Sequence, residues 1–342
     1  MSMVAGVFGK TAAFRCDAGP HIGTGHVIRC LALAEALKKC GYMACFLSDP
    51  TTLDMMPALK DSGFKVHNPT FHPDTPWDFL IVDHYDLDET YERQQRLFAT
   101  KILVLDDLAD RRHDCDILID QTYGRNESDY RPIVPEKCRI LTGTDYAILR
   151  PDFSKVRPQA QERRKDVTDV RRVLVFISGS DKDNVTQKVL QGLQNVTGLS
   201  RIDVIIGAQS THRRSIEEAI KNLPATATIH TNLNGQDLAR LMVESDLAIG
   251  AGGTTSWERC CLGLPALLIE IADNQKKIAT ELHSAGAVIN LGWFESLAPQ
   301  KIAEALQTLQ KNPEKLRRMA EAGFEICDGL GADRICRSLE KP

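Results

Sequence analysis

The chain has 342 residues and a formal net charge of −4, a length that predicts two domains rather than one core. The slightly acidic balance argues against a nucleic-acid partner, which requires a basic surface. The sequence contains no run of about 18 apolar residues and no secretory signal, so we expect no membrane partner. Ten scattered cysteines without a C-x-x-C pair predict reduced thiols and a cytoplasmic location.

Apolar segments alternate with helical patterns through the first half of the chain. The segment at 13–16 leads into a glycine-rich loop, and the apolar positions after this loop predict a helix over 27–39. Further buried strands are predicted at 45–47, 79–82, 102–105 and 117–119. Strands that alternate with helices indicate a parallel sheet covered by helices.

The second half repeats this organisation after a change in composition at Arg150-Pro151. Strands are predicted at 172–177, 203–207, 248–250 and 266–270, and one or two amphipathic helices between 299 and 322. The charged, proline-containing stretch at 151–171 predicts an exposed linker. We therefore expect an α/β protein with Rossmann-like domains at 1–150 and 172–342, whose last helix can return to the N-terminal domain.

Two glycine-rich loops each follow a predicted strand and precede a predicted helix. The first is Gly23-Thr24-Gly25-His26, and the second is Gly252-Gly253-Thr254-Thr255. Small residues let the backbone approach a ligand closely, and free N–H groups together with the helix dipole attract an anion. One such loop per half predicts a phosphate-bearing ligand in a cleft between two doubly wound domains.

Three residues of the first half are candidates for catalysis. His26 can act as a general base near neutral pH, although a histidine that packs the start of a helix fits the local pattern equally well. Asp83 and Tyr85 follow the predicted strand at 79–82, where Asp83 can orient an imidazole and Tyr85 can donate to a substrate oxygen. The alternative for both is an ordinary turn at the end of a strand.

Other polar residues of the first half predict surface structure. Asp106, Asp107 and Asp110 lie beside two arginines, which favours a solvated turn over a metal or sugar contact. His113 lies in a polar segment and is expected to be solvated. No H-E-x-x-H or comparable ligand spacing occurs in the sequence, so we expect neither a bound metal nor a cofactor.

Polar residues of the second half are candidates for ligand binding. Gly179, Asp181 and Asn184 lie between a strand and a helix, where they can bind a ligand or form a turn and a helix cap. Glu258 lies one turn into a helix, and its carboxylate suits a ribose diol better than a phosphate. The run Asp273-Asn274-Gln275 offers groups that bind sugar hydroxyls, although alone it is an ordinary polar loop.

Together these motifs resemble the GT-B superfamily of nucleotide-sugar enzymes. Residues 252–258 and 263–265 are similar to the donor-binding signature of the peptidoglycan N-acetylglucosaminyltransferase, and residues 23–27 to its N-terminal glycine loop. Over about residues 12 to 340 the chain resembles the UDP-2,4-diacetamido-2,4,6-trideoxy-β-L-altropyranose hydrolases of pseudaminic acid biosynthesis. The motifs that carry this resemblance lie at 15–17, 22–31, 82–85, 105–109, 146–150 and 272–275. One departure is Ser178-Gly179-Ser180-Asp181, where that family more often has Gly-Gly-Thr-Asp.

The resemblance implies metal-independent hydrolysis of a UDP-sugar, in which water attacks the anomeric carbon and UDP leaves. It implies that His26 is the base, that Asn184 and Glu258 contact the nucleotide-sugar, and that the backbone of residues 252–255 holds the diphosphate. A glycosyltransferase with a UDP-N-acetylated donor, a UDP-N-acetylhexosamine 2-epimerase and a catalytically silent binding protein remain alternatives. The presence of His26 argues against the silent protein, and the oligomeric state stays open, with a monomer compatible with the sequence.

Overall fold

The computed structural model describes residues 9–19 and 22–340. The chain divides into two compact units: the first comprises the residues up to Ile148 together with those from Gly331 onward, and the second comprises Leu149–Leu330. Each unit contains one sheet, and all pairings between its strands are parallel in the described residues. None of the described helices combines the length and the hydrophobicity needed to cross a bilayer.

The first unit contains a seven-stranded sheet within the described residues, in the order β3-β2-β1-β4-β5-β6-β7. Its strands are β1 (Thr11–Cys16), β2 (Met43–Leu47), β3 (Lys65–His67), β4 (Trp77–Asp83), β5 (Ala99–Leu105), β6 (Ile117–Asp120) and β7 (Arg139–Thr142). The helices up to residue 148 are α1 (Gly25–Lys39), α2 (Pro50–Met55), α3 (Pro57–Asp61), α4 (Glu89–Gln95) and α5 (Glu127–Tyr130). Short 3₁₀ turns lie at Arg131–Ile133 and Thr144–Tyr146.

Both faces of this sheet are covered at its centre, which explains why its central strands are mostly apolar. In β4, Phe79 and Ile81 pack into the core that contains α1. Leu80 and Val82 alternate with them and pack into a second core, together with Tyr130. The strand period of two therefore sends successive side chains into cores on opposite faces.

The second unit contains a six-stranded sheet within the described residues, in the order β10-β9-β8-β11-β12-β13. Its strands are β8 (Arg172–Phe176), β9 (Arg201–Ile205), β10 (Thr226–His230), β11 (Leu247–Ala251), β12 (Ala266–Glu270) and β13 (Val288–Trp293). Its helices are α6 (Pro151–Lys165), α7 (Val185–Leu193), α8 (Arg213–Ile220), α9 (Gly235–Glu244), α10 (Thr255–Cys261), α11 (Gln275–Ser284), α12 (Pro299–Gln310) and α13 (Pro313–Ile326). A 3₁₀ turn lies at Phe294–Ser296.

Each sheet has a point at which the direction of the strand order reverses. In the first unit this point lies between β1 and β4, and in the second it lies between β8 and β11. The connections leave such a point in opposite directions, so a crevice forms beyond the carboxyl ends of the two strands, where ligands bind in open α/β sheets. The loops after β1, β4, β8 and β11 are therefore the places to look for a site.

The segment at 151–171 differs from the exposed linker that the sequence predicts. Most of it is helix α6, with Phe153 and Ala160 fully buried. Arg164 is buried as well, and its guanidinium donates to the carbonyl oxygens of Met242 and Ser245 at the end of α9. The charge of this stretch does not indicate exposure, because arginine satisfies buried helix-end carbonyls that would otherwise lack donors.

The last helix, α14 (Gly331–Leu339), belongs to the first unit and packs against α1. Its residues Ile335, Cys336 and Leu339 lie in the same core as α1. A Cβ atom at Gly331 would lie 2.3 Å from the carbonyl oxygen of Ala147. Glycine therefore permits the close approach that joins this helix to the first unit.

Candidate active site

The loop after β1 and the end of β4 bring His26 and Asp83 together. His26 lies in the first turn of α1 and is 4% exposed, and Asp83 is the last residue of β4 and is fully buried. The imidazole Nδ1 lies 2.5 Å from Asp83 Oδ1. Two candidates from distant parts of the sequence thus form one pair beside the crevice of the first unit.

The Asp83 carboxylate is ionised, and this determines where the proton of His26 lies. Burial alone would raise the pKa of Asp83, but the charge and hydrogen bonds of Arg29, together with the hydrogen bond of His26, outweigh burial and hold this pKa well below its usual range. An ionised carboxylate only accepts hydrogen bonds, so Nδ1 of the imidazole carries a hydrogen, and in the neutral ring Nε2 then carries the lone pair. Nε2 makes no hydrogen bond to any residue that the structure describes.

Arg29 holds Asp83 from the other side. Its Nε lies 2.6 Å from Asp83 Oδ2 and its Nη2 lies 2.6 Å from Oδ1, while Nη1 reaches Asp107 Oδ2 at 3.2 Å. Arg29 was not among the candidate residues that the sequence indicated. The available signal was its position three residues after His26, which places both side chains on one face of α1.

Tyr85 lies on the edge of the His26 ring. The two rings are 4.5 Å apart between centroids, at an interplanar angle of 85°. The phenol donates to Asp107 Oδ2 over 3.4 Å. Burial, followed by the charge of Asp107, raises the pKa of Tyr85 well above its ordinary value. Tyr85 is therefore protonated at neutral pH and donates a hydrogen bond. Asp107 accepts that bond and so does not lie in the solvated turn that the sequence predicts.

A second set of buried polar groups holds Asp17, the first residue after β1. His84 Nδ1 accepts from the backbone N–H of Asp86, so the hydrogen of the neutral ring is on Nε2, which lies 3.3 Å from Asp17 Oδ2. Arg15 donates to the same oxygen over 2.7 Å, and the N–H of Asp49 donates to Asp17 Oδ1 over 2.7 Å. Burial opposes ionisation of Asp17, but His84, Asp49 and Arg15 together lower its pKa. These bonds join the loop after β1 to the end of β2.

The acidic cluster after β5 is not the solvated turn that the sequence predicts. Asp106 is 2% exposed and accepts a hydrogen bond from the Tyr130 hydroxyl over 2.8 Å. Asp110, by contrast, is exposed as predicted. The prediction that His113 is solvated is also wrong, because its Nδ1 lies 2.7 Å from Glu92 Oε1 in a fully buried pair. Polar residues are buried here because each meets a donor or acceptor from another element.

The first glycine loop offers fewer free N–H groups than expected. Gly23 has a φ of 78°, which favours glycine, and it exchanges two backbone hydrogen bonds with Gly19. Its N–H is therefore not available to an anion. The N–H of Gly25 donates to no residue that the structure describes.

Two N–H groups of the second glycine loop have no hydrogen-bond acceptor among the described residues. The Gln275 side-chain oxygen accepts from Gly252 N over 3.3 Å and from Ile271 N over 3.2 Å, so Gly252 is already paired. The N–H groups of Gly253 and Thr254 make no hydrogen bonds within the described part of the chain. Thr255 begins α10 directly after them. Gln275, the first residue of α11, thus joins this loop to the segment that follows β12.

Glu258 is held by a cation in the same unit. The side chain is largely buried, and Arg150 Nη2 donates to its Oε1 over 3.1 Å. Of the run after β12, Asp273 is exposed and pairs with Lys276 over 2.7 Å, while Asn274 occupies the N-cap position of α11. Glu258 is therefore an ordered carboxylate one helical turn after the second glycine loop.

The polar groups of the loop after β8 are mostly used in contacts within the second unit. Asp181 accepts from the N–H groups of Val185 and Thr186 over 2.9 and 3.0 Å, so its carboxylate caps α7. A Cβ atom at Gly207 would lie 2.0 Å from the Gly179 carbonyl oxygen, so this carbonyl packs against the end of β9. Asn184 has a φ of 51°, and its amide nitrogen donates to Ser215 Oγ over 3.1 Å.

Across residues 9–19 and 22–340, no group of three or more His, Cys, Asp or Glu side chains is arranged to hold a metal ion. The carboxylates of Asp83, Glu258 and Asp181 instead accept hydrogen bonds from arginine, histidine or backbone donors. The chemistry that these residues can perform is proton transfer at His26 and anion binding at the loop after β11.

Residues 173–329 match the family described as Glycosyltransferase family 28 C-terminal domain. The chain is 26% identical to the spore coat polysaccharide biosynthesis protein SpsG of Bacillus subtilis over 95% of this chain and 96% of that protein. It is 27% identical to the UDP-2,4-diacetamido-2,4,6-trideoxy-beta-L-altropyranose hydrolase of Campylobacter jejuni, over 80% of this chain and 96% of that enzyme.

Among solved structures, the chain is similar to Acinetobacter baumannii MurG, with a TM-score of 0.69 and 15% identity. The similarity covers 97% of this chain and 100% of that one. Two parallel-sheet α/β units with this similarity confirm the fold that the sequence predicts. The chain therefore has the GT-B fold.

Proposed function

We propose that this chain hydrolyses UDP-2,4-diacetamido-2,4,6-trideoxy-β-L-altropyranose to UDP and the free sugar, a reaction of pseudaminic acid biosynthesis. The observation that carries the proposal is the buried His26–Asp83 pair, which leaves Nε2 of His26 with a lone pair beside the crevice of the first unit. The similarity to the Campylobacter jejuni hydrolase over 96% of that enzyme supports this choice of substrate.

In the proposed reaction, Nε2 of His26 takes a proton from water while the water oxygen attacks the anomeric carbon. The bond between the anomeric carbon and the diphosphate oxygen breaks, and its electron pair leaves with UDP. Asp83 accepts from Nδ1 throughout and stabilises the imidazolium that forms. Asp83 is poorly suited to attack the sugar itself, because Arg29 and His26 occupy both of its oxygens.

We assign the nucleotide to the second unit. The free N–H groups of Gly253 and Thr254 suit the diphosphate. The Glu258 carboxylate suits the ribose diol, and Arg150 neutralises its charge so that it does not repel the diphosphate. Asn184 is assigned to the nucleotide-sugar by the resemblance alone. Tyr85 is assigned to an oxygen of the sugar, to which its single O–H would turn from Asp107 when the substrate binds.

A glycosyltransferase is the second candidate, and two observations favour it. Residues 173–329 match a glycosyltransferase family, and the fold is that of MurG. In both candidates the same base would activate a hydroxyl, which belongs to water in one and to an acceptor sugar in the other. The two reactions therefore differ in the product and not in the site.

The test is a panel of UDP-linked acetamido and diacetamido sugars, incubated with the protein with and without acceptor sugars. The proposal expects UDP and a free diacetamido sugar in NMR spectra, at a rate that acceptors leave unchanged. The His26→Asn variant should lose about 10²–10⁴-fold of the rate. The matched variant is His72→Asn, which changes an exposed histidine of the same unit and should retain full activity. Release of UDP only in the presence of an acceptor would replace hydrolysis by glycosyl transfer.

A further inference from the structure

We propose that Arg29 is a positioning residue that keeps Nε2 of His26 available as a base at neutral pH, by fixing Asp83 and by opposing a positive charge on the imidazole. The inference rests on the proposed role of His26 and adds a residue that acts through it. Its grounds are the contacts of the guanidinium and the charges around the ring.

The contacts of Arg29 fix the orientation of Asp83. The guanidinium is planar and donates to both carboxylate oxygens over 2.6 Å, which is the two-point geometry that arginine forms and lysine does not. His26 Nδ1 bonds to Oδ1, the same oxygen that receives Nη2 of Arg29. A carboxylate that cannot rotate leaves the imidazole one orientation in which Nδ1 donates, and Nε2 then points in one direction.

The charges around His26 oppose one another. Asp83 alone would favour the protonated ring, because an opposite charge in direct contact stabilises the charged form. Arg29 Nη2 lies 3.3 Å from His26 Nδ1 and counteracts this effect. The titratable groups that surround the ring and its partners come from three elements: Arg29 and Cys30 of α1, Asp83 and Tyr85 at the end of β4, and Asp107 after β5.

A purely structural role for Arg29 makes a different prediction. If Arg29 only neutralised a buried carboxylate, its replacement would lower the folded fraction. The activity of the remaining folded protein would then keep the wild-type dependence on pH. A positioning residue instead changes the pH at which the base loses its proton. The pH profile therefore separates the two roles.

The first experiment measures kcat/KM from pH 5 to 9 for the wild type, Arg29→Met and Arg29→Lys. We expect the acidic limb of Arg29→Met to move to higher pH by about 1–3 units, because removal of the cation favours the imidazolium. Its activity should recover as the pH rises. Arg29→Lys keeps the charge but loses the two-point contact, so its limb should stay near that of the wild type while kcat falls.

The control variant is Arg96→Met, which removes another arginine of the same unit. Arg96 pairs with Asp114 and Asp116 and makes no contact with His26 or Asp83 in the described residues. Its limb should coincide with that of the wild type. An acidic limb of Arg29→Met that also coincides with the wild type would overturn the proposal.

The second experiment needs no substrate, so it separates this inference from the proposed reaction. Two-dimensional NMR of ¹⁵N-histidine-labelled protein, with His26 assigned by the His26→Asn variant, reports the ring tautomer and its titration midpoint. We expect hydrogen on Nδ1 in the wild type and a higher midpoint in Arg29→Met, or in Arg29→Gln if the methionine variant does not fold. Equal midpoints would overturn the inference even if the protein hydrolyses UDP-sugars. The expected shift in a protein without hydrolase activity would retain the inference and reject the reaction.

Discussion

Replacement of Asp83 by asparagine tests the buried pair most severely. Asp83 accepts hydrogen bonds from Arg29 at both oxygens over 2.6 Å and from His26 at one over 2.5 Å. An asparagine amide has one acceptor oxygen, so in either orientation its NH₂ group faces a donor of Arg29. When the NH₂ group also faces Nδ1, the imidazole must accept there and its hydrogen moves to Nε2. In both orientations the charge that stabilises the imidazolium is lost.

The size of the effect follows from these contacts. Loss of one partner of a buried ion pair costs about 3–5 kcal/mol of the free energy of unfolding. The bond of Arg29 to Asp107 over 3.2 Å survives the substitution, so we expect the lower end of that range. In the chemical step, loss of the orienting carboxylate in a serine-protease triad costs about 10⁴-fold. We expect kcat of Asp83→Asn to fall by about 10²–10⁴-fold.

The assay combines kcat, thermal unfolding and calorimetric titration with UDP. The matched control is Asp78→Asn, the same substitution at the opposite end of β4, where Asp78 Oδ2 accepts from the N–H of Thr11 over 2.7 Å. This control should lose stability without losing kcat in the folded fraction, and both variants should bind UDP like the wild type. A folded Asp83→Asn protein with more than about a tenth of wild-type kcat would exclude Asp83 as the residue that orients His26, since the general-base contribution is at least ~10²-fold.

Three further predictions concern pH, the nucleotide and metal. The pKa of Asp83 is lowered in the folded state, so its contribution to stability should be complete above about pH 5. This contribution should fall progressively as the pH drops below the unfolded value of ~3.9. The difference in stability between the wild type and Asp83→Asn should therefore shrink in acid-unfolding measurements. Glu258→Ala should weaken UDP binding by about 1.5–3 kcal/mol in calorimetry and leave kcat at saturating substrate nearly unchanged, whereas unchanged affinity would remove Glu258 from the nucleotide site. EDTA should leave the rate intact, because no set of metal ligands is arranged within the described residues, and a loss of activity that Mg²⁺ or Mn²⁺ restores would contradict this expectation.

The sequence predicted the centre of each sheet better than its edges. The strands that it missed are β3, β7, β10 and β13, and these are the outermost strands of the two sheets. An edge strand is covered less completely, so it lacks the continuous apolar run that marks a central strand. In β10, the sequence Thr-Ala-Thr-Ile-His includes no fully buried residue. The central strands, such as β4 and β12, were evident because nearly every residue is buried.

The candidate site was predictable where it depends on strand ends and not where it depends on partners. His26 follows β1 and Asp83 ends β4, so their positions at the carboxyl ends of strands indicated the same edge of the sheet. The burial of His113 depends on Glu92, and the burial of Asp106 depends on the Tyr130 hydroxyl. Such pairings arise from tertiary contacts, and no local pattern in the sequence distinguishes them from solvated polar residues.

Hydrolysis in ¹⁸O-labelled water, followed by NMR and mass spectrometry, tests the central claim most directly. Water activated by His26 and directed at the anomeric carbon should place the label in the sugar hydroxyl. A single displacement, without a covalent glycosyl intermediate, should give the inverted anomer in early spectra. The role proposed for His26 therefore predicts label in the sugar hydroxyl together with inversion at the anomeric carbon. Label in the phosphate of UDP would mean attack at phosphorus and would contradict the role proposed for His26.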